Sequence, residues 1–519
     1  MKTIVAPRMM VATLEDIQRE FPVFDWQVAG VHVWPLARLR WIVGVWSQAF
    51  STEVAGPPSV SAKRLSTVLR GAQACASARR RDTRAEDRIG AQRDLVFLSD
   101  GVSFATLSER RFERFCDPLI EHAHRQGLST QMWTPMHLYL VPRATPSRFV
   151  QPALDRANAM ATIEARLRSP AVHLPGWDAL KQWLAARALD TPALDRARLT
   201  RDAIRIRHVT RLYSSWLRKV EPRAAFVVCY YSLEAMAFVR ACRHLGIPVT
   251  DLQHGVQGEG HGAYAGWGQV PAQADELLPD YFWVWSQWEA DAITAGLDTA
   301  RVCRPVVGGN PWMDFWTLDG HPDTTAASAS ARSLLDLAGE RPVVLVTLQF
   351  GLSDGLQLDP LRHLISLCGD QFAWWVRLHP AMGERRDEVR TKIGGMEGAP
   401  VWLDQPSDLP LPALLRHARV HLTHSSSTVI EAACLGVPSI VTSESGRDLF
   451  GPYIEQGMAR VEVGGLEELR AALQDCVTKS LPRAEHPKVS ARHGSLDRAF
   501  AKVTGFGPAS LALSSARQG

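Results

Sequence analysis

Residues 224–252 constrain the fold more than any other stretch. AAFVVCYY (224–231) is an uninterrupted apolar run of strand length. Residues 233–245 repeat with helical period and stop at Gly246. Ile247-Pro248-Val249-Thr250-Asp251-Leu252 then begins a second strand. A strand, a helix and a strand joined so tightly make a right-handed crossover, so the two strands lie parallel in a sheet covered on both faces. Functional loops of such sheets gather at the carboxyl ends of the strands. Here that end reads Gln253-His254-Gly255, followed by the glycine-rich VQGEGHGAYAGWG.

The same rhythm continues on either side. RDLVFLS (93–99) reads as a strand running into Asp100-Gly101, and DYFWVWS (280–286) leads through a helix at 287–295 to VCRPVVGGNP (302–311). TLDGHPDTTAASASARS (317–333) is polar, small and low in complexity, the composition of a linker. Beyond it strands are expected at 343–348, 372–378, 401–403, 420–423, 438–442 and 459–463, with helices between. The expected architecture is α/β, two doubly wound Rossmann-like domains facing across a cleft. The domains are placed at 1–320 and 321–505, with a loose tail at 506–519.

A chain of 519 residues suits two or three domains. The net charge of +4 is too small to mark a polyanion binder, and no nucleic-acid partner is expected. Basic residues are nevertheless clustered, in SARRRDTRAEDR (77–88) and along an amphipathic helix at 196–219. On that helix Leu199, Ile206, Val209, Leu212, Tyr213 and Trp216 share a face, and the arginines read as a solvated surface or a patch for an anionic polymer or lipid. The eight cysteines (75, 116, 229, 242, 303, 368, 434, 476) lack CxxC or Cys/His ligand spacing. They read as reduced thiols of a cytoplasmic protein, with no metal site. No secretory leader or spanning helix is read. VHVWPLARLRWIVGVWSQAF (31–50) is broken by His32, Arg38 and Arg40 and suits either a buried helix or a membrane interface. Seventeen tryptophans fit an interfacial or sugar-binding protein.

Three constellations sit where strands end. His254 in Gln253-His254-Gly255 is placed to act as an acid, base or donor. In Arg377-Leu378-His379-Pro380 the Arg and His point to one side by the period of two, and the pair suits a phosphate. In HSSSTVIEAACLG (424–436), Ser425, Ser426, Ser427 and Thr428 read as N-cap residues of a helix over 429–435. Such a start offers free N–H groups to an anion. Glu431, one turn later, is placed to accept a sugar or ribose hydroxyl.

In this order the three stretches resemble bacterial GT-B glycosyltransferases that build capsules, lipopolysaccharide and wall polymers, including Kdo transferases, polysialyltransferases and CDP-glycerol-type polyol-phosphate transferases. The resemblance rests on 253–255, 377–380 and 424–440 and spans roughly 224–445. It implies a nucleotide-sugar donor as co-substrate in the second domain, with no other cofactor and no metal. Arg377, His379, the 425–428 hydroxyls, Glu431 and Gln253 would hold that donor. The donor implied includes a CMP-linked acidic sugar such as Kdo. The acceptor implied is a growing cell-surface glycan or a lipid-linked glycan, reached from the cytoplasmic face of the inner membrane. Asp100, His254, Asp251 and Glu259 are candidates for the group that deprotonates it. Position 439 is Ser where retaining relatives carry a second glutamate eight residues after the first, so retention or inversion stays open. UDP-sugar 2-epimerases share the architecture but prefer Ser-Gly-Gly where this chain has Ser-Ser-Ser. A CDP-polyol transferase, a 2-epimerase and a non-catalytic subunit of an envelope polysaccharide complex are the alternatives.

Overall fold

The structure is a computed structural model that describes residues 6–50, 91–136, 142–167, 171–295, 302–317, 321–349, 354–393, 400–478 and 495–506. Two parallel sheets organise it. The first orders its strands as 304–307, 281–284, 249–252, 224–228, 95–98, 130–134 and 147–149. The second runs 401–402, 373–377, 343–347, 420–423, 439–441 and 459–461. Numbered in chain order, both read 3-2-1-4-5-6, the first with a seventh strand beyond its sixth. Each therefore has one switch point where the winding reverses, between 95–98 and 224–228 and between 343–347 and 420–423. This is the two-lobed, doubly wound α/β arrangement of the GT-B type expected from the sequence.

Burial explains why these runs are strands. Every residue of Ala224–Val228, Val249–Leu252, Val343–Thr347 and Val420–Thr423 is buried, as sheets covered on both faces require. One of them is a histidine. His421 is fully buried in the second sheet, 2.9 Å from Thr347 Oγ1 and 3.0 Å from Ser439 Oγ on its two neighbouring strands. Burial pushes its pKa down to about 3, so a neutral imidazole ties three strands together.

The segment read as a linker is not one. Pro322–Ala338 is a helix, started by His321, whose Nδ1 accepts from the Asp323 N–H at 3.3 Å. Alanines at 326, 327, 329 and 331 supply helix propensity that low complexity disguised. Ala331, Leu334 and Ala338 bury its inner face. At the other end of the chain, Ser495–Thr504 leaves the second lobe and packs on the first sheet, Phe500 stacking 6.1 Å from Phe226. Residues 507–519 of the expected tail lie outside the described residues, and so does the arginine-rich stretch 77–88.

The Trp-rich segment 31–50 contributes the helix Trp34–Phe50, with Trp34 and Trp41 buried. Its Arg38 does not face a membrane. It is fully buried, donating to the carbonyls of Gly262, Ala265 and Gly266 and lying 3.9 Å over the Trp267 ring. The glycine-rich loop thus wraps an N-terminal arginine. Its glycines serve close packing: a Cβ on Gly260 would sit 2.8 Å from Pro7, and one on Gly262 2.6 Å from Ile42. The long helix Arg196–Val220 buries the expected apolar face. On its basic face Arg196 pairs with Asp178 at 2.9 Å, Arg205 with Glu234 and Arg207 with Glu164, while Arg198, Arg201, Arg211, Arg218 and Lys219 are exposed. Among the described residues no helix is long and apolar enough to cross a membrane.

Candidate functional site

The second lobe presents the ends of three adjacent strands. After Val343–Thr347 the Leu348 N–H donates to Arg377 O at 3.0 Å, and Gln349 Oε1 accepts from the Ser425 N–H at 2.7 Å and from its hydroxyl at 3.2 Å. Gln349 therefore bridges the switch point, with the Arg377–His379 turn on one side and the serine cluster on the other. Two strand spacings put those flanks roughly 10 Å apart.

His379 is exposed at this mouth, and burial of its inner side together with nearby Arg114 lowers its pKa. Arg377 is only partly available. Its Nη1 donates to the carbonyls of Pro406 and Leu409, which fastens the 404–408 helix to the strand end. Burial lowers its pKa to about 10, so it stays charged.

The hydroxyl cluster departs from the capping expected of it. The helix is seven residues, Thr428–Cys434, and Ser427 at its N-cap makes no capping bond. Ser427 has φ −58° and ψ −13°, a helical conformation that aims its side chain away from the next amides. Ser426 Oγ instead lies 3.0 Å from Thr428 Oγ1, and Ser425 is held by Gln349. Glu431 is buried on this helix. Burial raises its pKa, and Arg114 and Arg377 oppose that rise.

In the first lobe His254 stands at the end of Val249–Leu252, its Nε2 3.1 Å from the Tyr231 hydroxyl. Its Nδ1 is buried without a partner. Burial lowers the His254 pKa, Asp100 opposes this, and Arg114 adds to it. Asp100 is committed to its own loop: Oδ1 accepts from the N–H groups of Val102 and Ser103 at 2.9 Å each, and Oδ2 from the Ser103 hydroxyl at 2.6 Å. Gln253 is 1% exposed and turned inward, accepting from the Trp285 N–H at 2.7 Å and donating to Gly255 O at 2.9 Å. Asp251 is fully buried against the Tyr230 N–H and the Tyr264 hydroxyl, its pKa pushed up to about 8 by burial. Glu259 is exposed and paired with Arg8 at 3.1 Å. Neither Asp251 nor Glu259 is placed to serve as a base.

Arg114 is the residue that sequence reasoning missed. It follows the antiparallel hairpin Phe104–Leu107 and Arg110–Glu113, which rises from the first sheet. Phe112 lies 5.6 Å from Trp312 and 4.7 Å from Phe315, and Arg110 pairs with Asp323 at 2.9 Å, so the hairpin is pinned against the helices between the sheets. Arg114 lies 5.2 Å over the Phe115 ring, and its Nε is buried without a partner. Its charge acts on His254 in one lobe and on His379, Arg377 and Glu431 in the other. The available sequence signal was the period-two alternation of FATL and RRFE about Ser108-Glu109.

Arg114 of the first lobe is thus within electrostatic reach of His254 and of Arg377, His379 and Glu431 of the second. Such a set can hold a phosphate, accept a proton and hydrogen-bond a hydroxyl. Among the described residues no group of three or more His, Cys, Asp or Glu is placed to hold a metal ion.

No family profile matches the chain. A stretch of 97 residues is 34% identical to Lipase LipV of Mycobacterium tuberculosis, covering 19% of this chain and 33% of that protein. The match thus spans about a third of its curated relative. Among solved structures, the UDP-GlcNAc 2-epimerase of Methanocaldococcus jannaschii in complex with UDP-GlcNAc and UDP has a TM-score of 0.49 at 14% identity, over 79% of this chain and 99% of that one. The Neisseria meningitidis UDP-GlcNAc 2-epimerase bound to UDP-GlcNAc scores 0.49 at 13%, over 79% and 99%. The S. aureus MnaA–UDP structure scores 0.47 at 11%, over 80% and 99%. None of these likenesses assigns a reaction to this chain. The architecture stands on the two strand orders.

Proposed function

We propose that the crevice grips the phosphate of a nucleotide-activated sugar and that the chain transfers the sugar to a hydroxyl acceptor. The observation that carries this reading is Arg114, whose buried Nε has no partner and whose charge reaches Arg377, His379 and Glu431 of the second lobe and His254 of the first. When the bond from the anomeric carbon to the phosphate oxygen breaks, negative charge grows on the leaving phosphate. Arg114, Arg377 and His379 are preorganised to stabilise it. The acceptor oxygen forms the new bond to that carbon and gives its proton to His254. Burial keeps His254 neutral beforehand, and the Asp100 charge favours its imidazolium afterwards.

Two guanidiniums exceed what one phosphate needs. Arg114 with what remains free of Arg377 suits a donor with a second anionic group, which the carboxylate of a CMP-linked acidic sugar such as Kdo or the second phosphate of a nucleoside diphosphate sugar supplies. The proposed acceptor is a cell-surface glycan under construction, the class that the sequence resemblance implies, met at the cytoplasmic face of the membrane.

The test is transfer from a panel of radiolabelled nucleotide sugars to a bacterial envelope glycan fraction. His379→Ala should lower turnover by about 100- to 1,000-fold with an unchanged melting temperature. Undiminished turnover would contradict the proposal. Acceptor-free interconversion of the nucleotide sugar would replace it with the epimerase reading.

A further inference from the structure

A separate cavity of about 300 Å³ opens beside the crevice, enclosed by the helix Trp34–Phe50, the start of the helix Leu233–His244 and the loop 260–263. Its volume equals about ten waters. The outer wall is apolar, with Leu39, Ile42, Val43 and Trp46. Val43 and Trp46 stay 56% and 41% exposed at its rim, so the apolar wall continues to the surface. The inner end is polar, with Tyr231 and His261.

The polarity has a direction. Tyr231 lies 3.1 Å from His254, so the polar end adjoins the crevice while the apolar end faces outward. The lining also carries no free charge. Arg40 is paired with Asp202 at 2.7 Å, and burial pushes the His261 pKa down to about 4, leaving it neutral. The cavity thus disfavours an anionic headgroup, and it is too small for a helix of another protein, which is about 10 Å wide.

We infer that this cavity holds the uncharged alkyl portion of an amphiphilic acceptor, with the acceptor hydroxyl directed past Tyr231 toward His254. This names the acceptor class of the proposed transferase and rests on that reading for its meaning, while the pocket itself can be tested alone. The probes are n-octyl and n-butyl β-D-glucopyranoside, titrated below the micelle concentration and followed by calorimetry. Each buried methylene is worth about fourfold in affinity, so octyl glucoside should bind at least tenfold more tightly than butyl glucoside. Val43→Glu and Trp46→Ala, both at exposed rim positions, should each erase that difference with melting temperature and nucleotide binding unchanged. Equal binding of the two glucosides by the wild type, or an octyl preference that survives both substitutions, overturns the inference. Nucleotide binding in the same samples reports on the transferase reading separately. A protein that binds nucleotide but shows no chain-length preference loses only the pocket.

Discussion

Arg114 depends on the residues around it. Glu113 Oε2 accepts from the N–H groups of Phe115 and Cys116, and Asp117 accepts from the Glu113 N–H at 2.7 Å, so two buried carboxylates shape the loop that presents the guanidinium. Burial raises the Glu113 pKa to about 8 and that of Asp117 to about 7, and Asp251 behaves alike. The sign of the pH effect follows. With folded pKa values above the unfolded ones, the native state holds more protons, so stability falls as pH rises through the window. The histidines with lowered pKa values, among them His261 at about 4 and His421 at about 3, act oppositely until the unfolded histidines lose their protons, about one unit above 6.5. Between about pH 7.5 and 8.5 the carboxylates dominate. Thermal melts should therefore show the melting temperature falling across that interval, with a shallower fall in Glu113→Gln. A rise over the same interval would contradict the assignment of these groups.

At the scale of elements, the hairpin that carries Arg114 turns through Ser108 and Glu109, with φ 45° and 63°. A two-residue turn with positive φ at both central positions favours Asn-Gly. The double substitution Ser108→Asn, Glu109→Gly should stabilise the protein by about 1 kcal/mol in denaturant titrations. No gain would mean that the strain is compensated elsewhere in the hairpin. The Arg38 anchor makes the opposite case. Arg38→Met leaves three loop carbonyls without their donor and should cost about 3–5 kcal/mol, read as a lower urea midpoint.

These two elements also show where sequence reasoning stops. The strands were legible because runs such as 224–228 and 343–347 are apolar throughout and flanked by glycine and proline. The Arg38 anchor was not, because an arginine among tryptophans has the composition of a membrane interface, and only the partner loop more than 220 residues away shows otherwise. The helix 322–338 was hidden because Ala and Ser repeats satisfy a linker and a helix equally. Arg114 was hidden because its significance comes from what the second lobe brings to it.

At the scale of the whole molecule, two sheets share one winding order, and Arg114 of the first lobe lies within electrostatic reach of Arg377, His379 and Glu431 of the second. His379 and the Ser425–Thr428 cluster come from the second lobe, His254 and Asp100 from the first, and the sequence placed each at a strand end. The elements that join the lobes are the hairpin, pinned on the helices after the first sheet, and the helix Ser495–Thr504, which returns to that sheet. Gln253 and Asp251 lie at the same strand end but face inward, since alternate positions of one strand point to opposite sides. The proposed site grips a nucleotide's phosphate through Arg114 and its partners. Calorimetric titration of CMP, CDP, UDP and GDP into the wild-type protein and Arg114→Ala tests it most directly. The prediction is saturable binding of at least one nucleotide by the wild type, weakened tenfold or more in the variant at an unchanged melting temperature; binding of none of the four, or equal binding by both proteins, would contradict it.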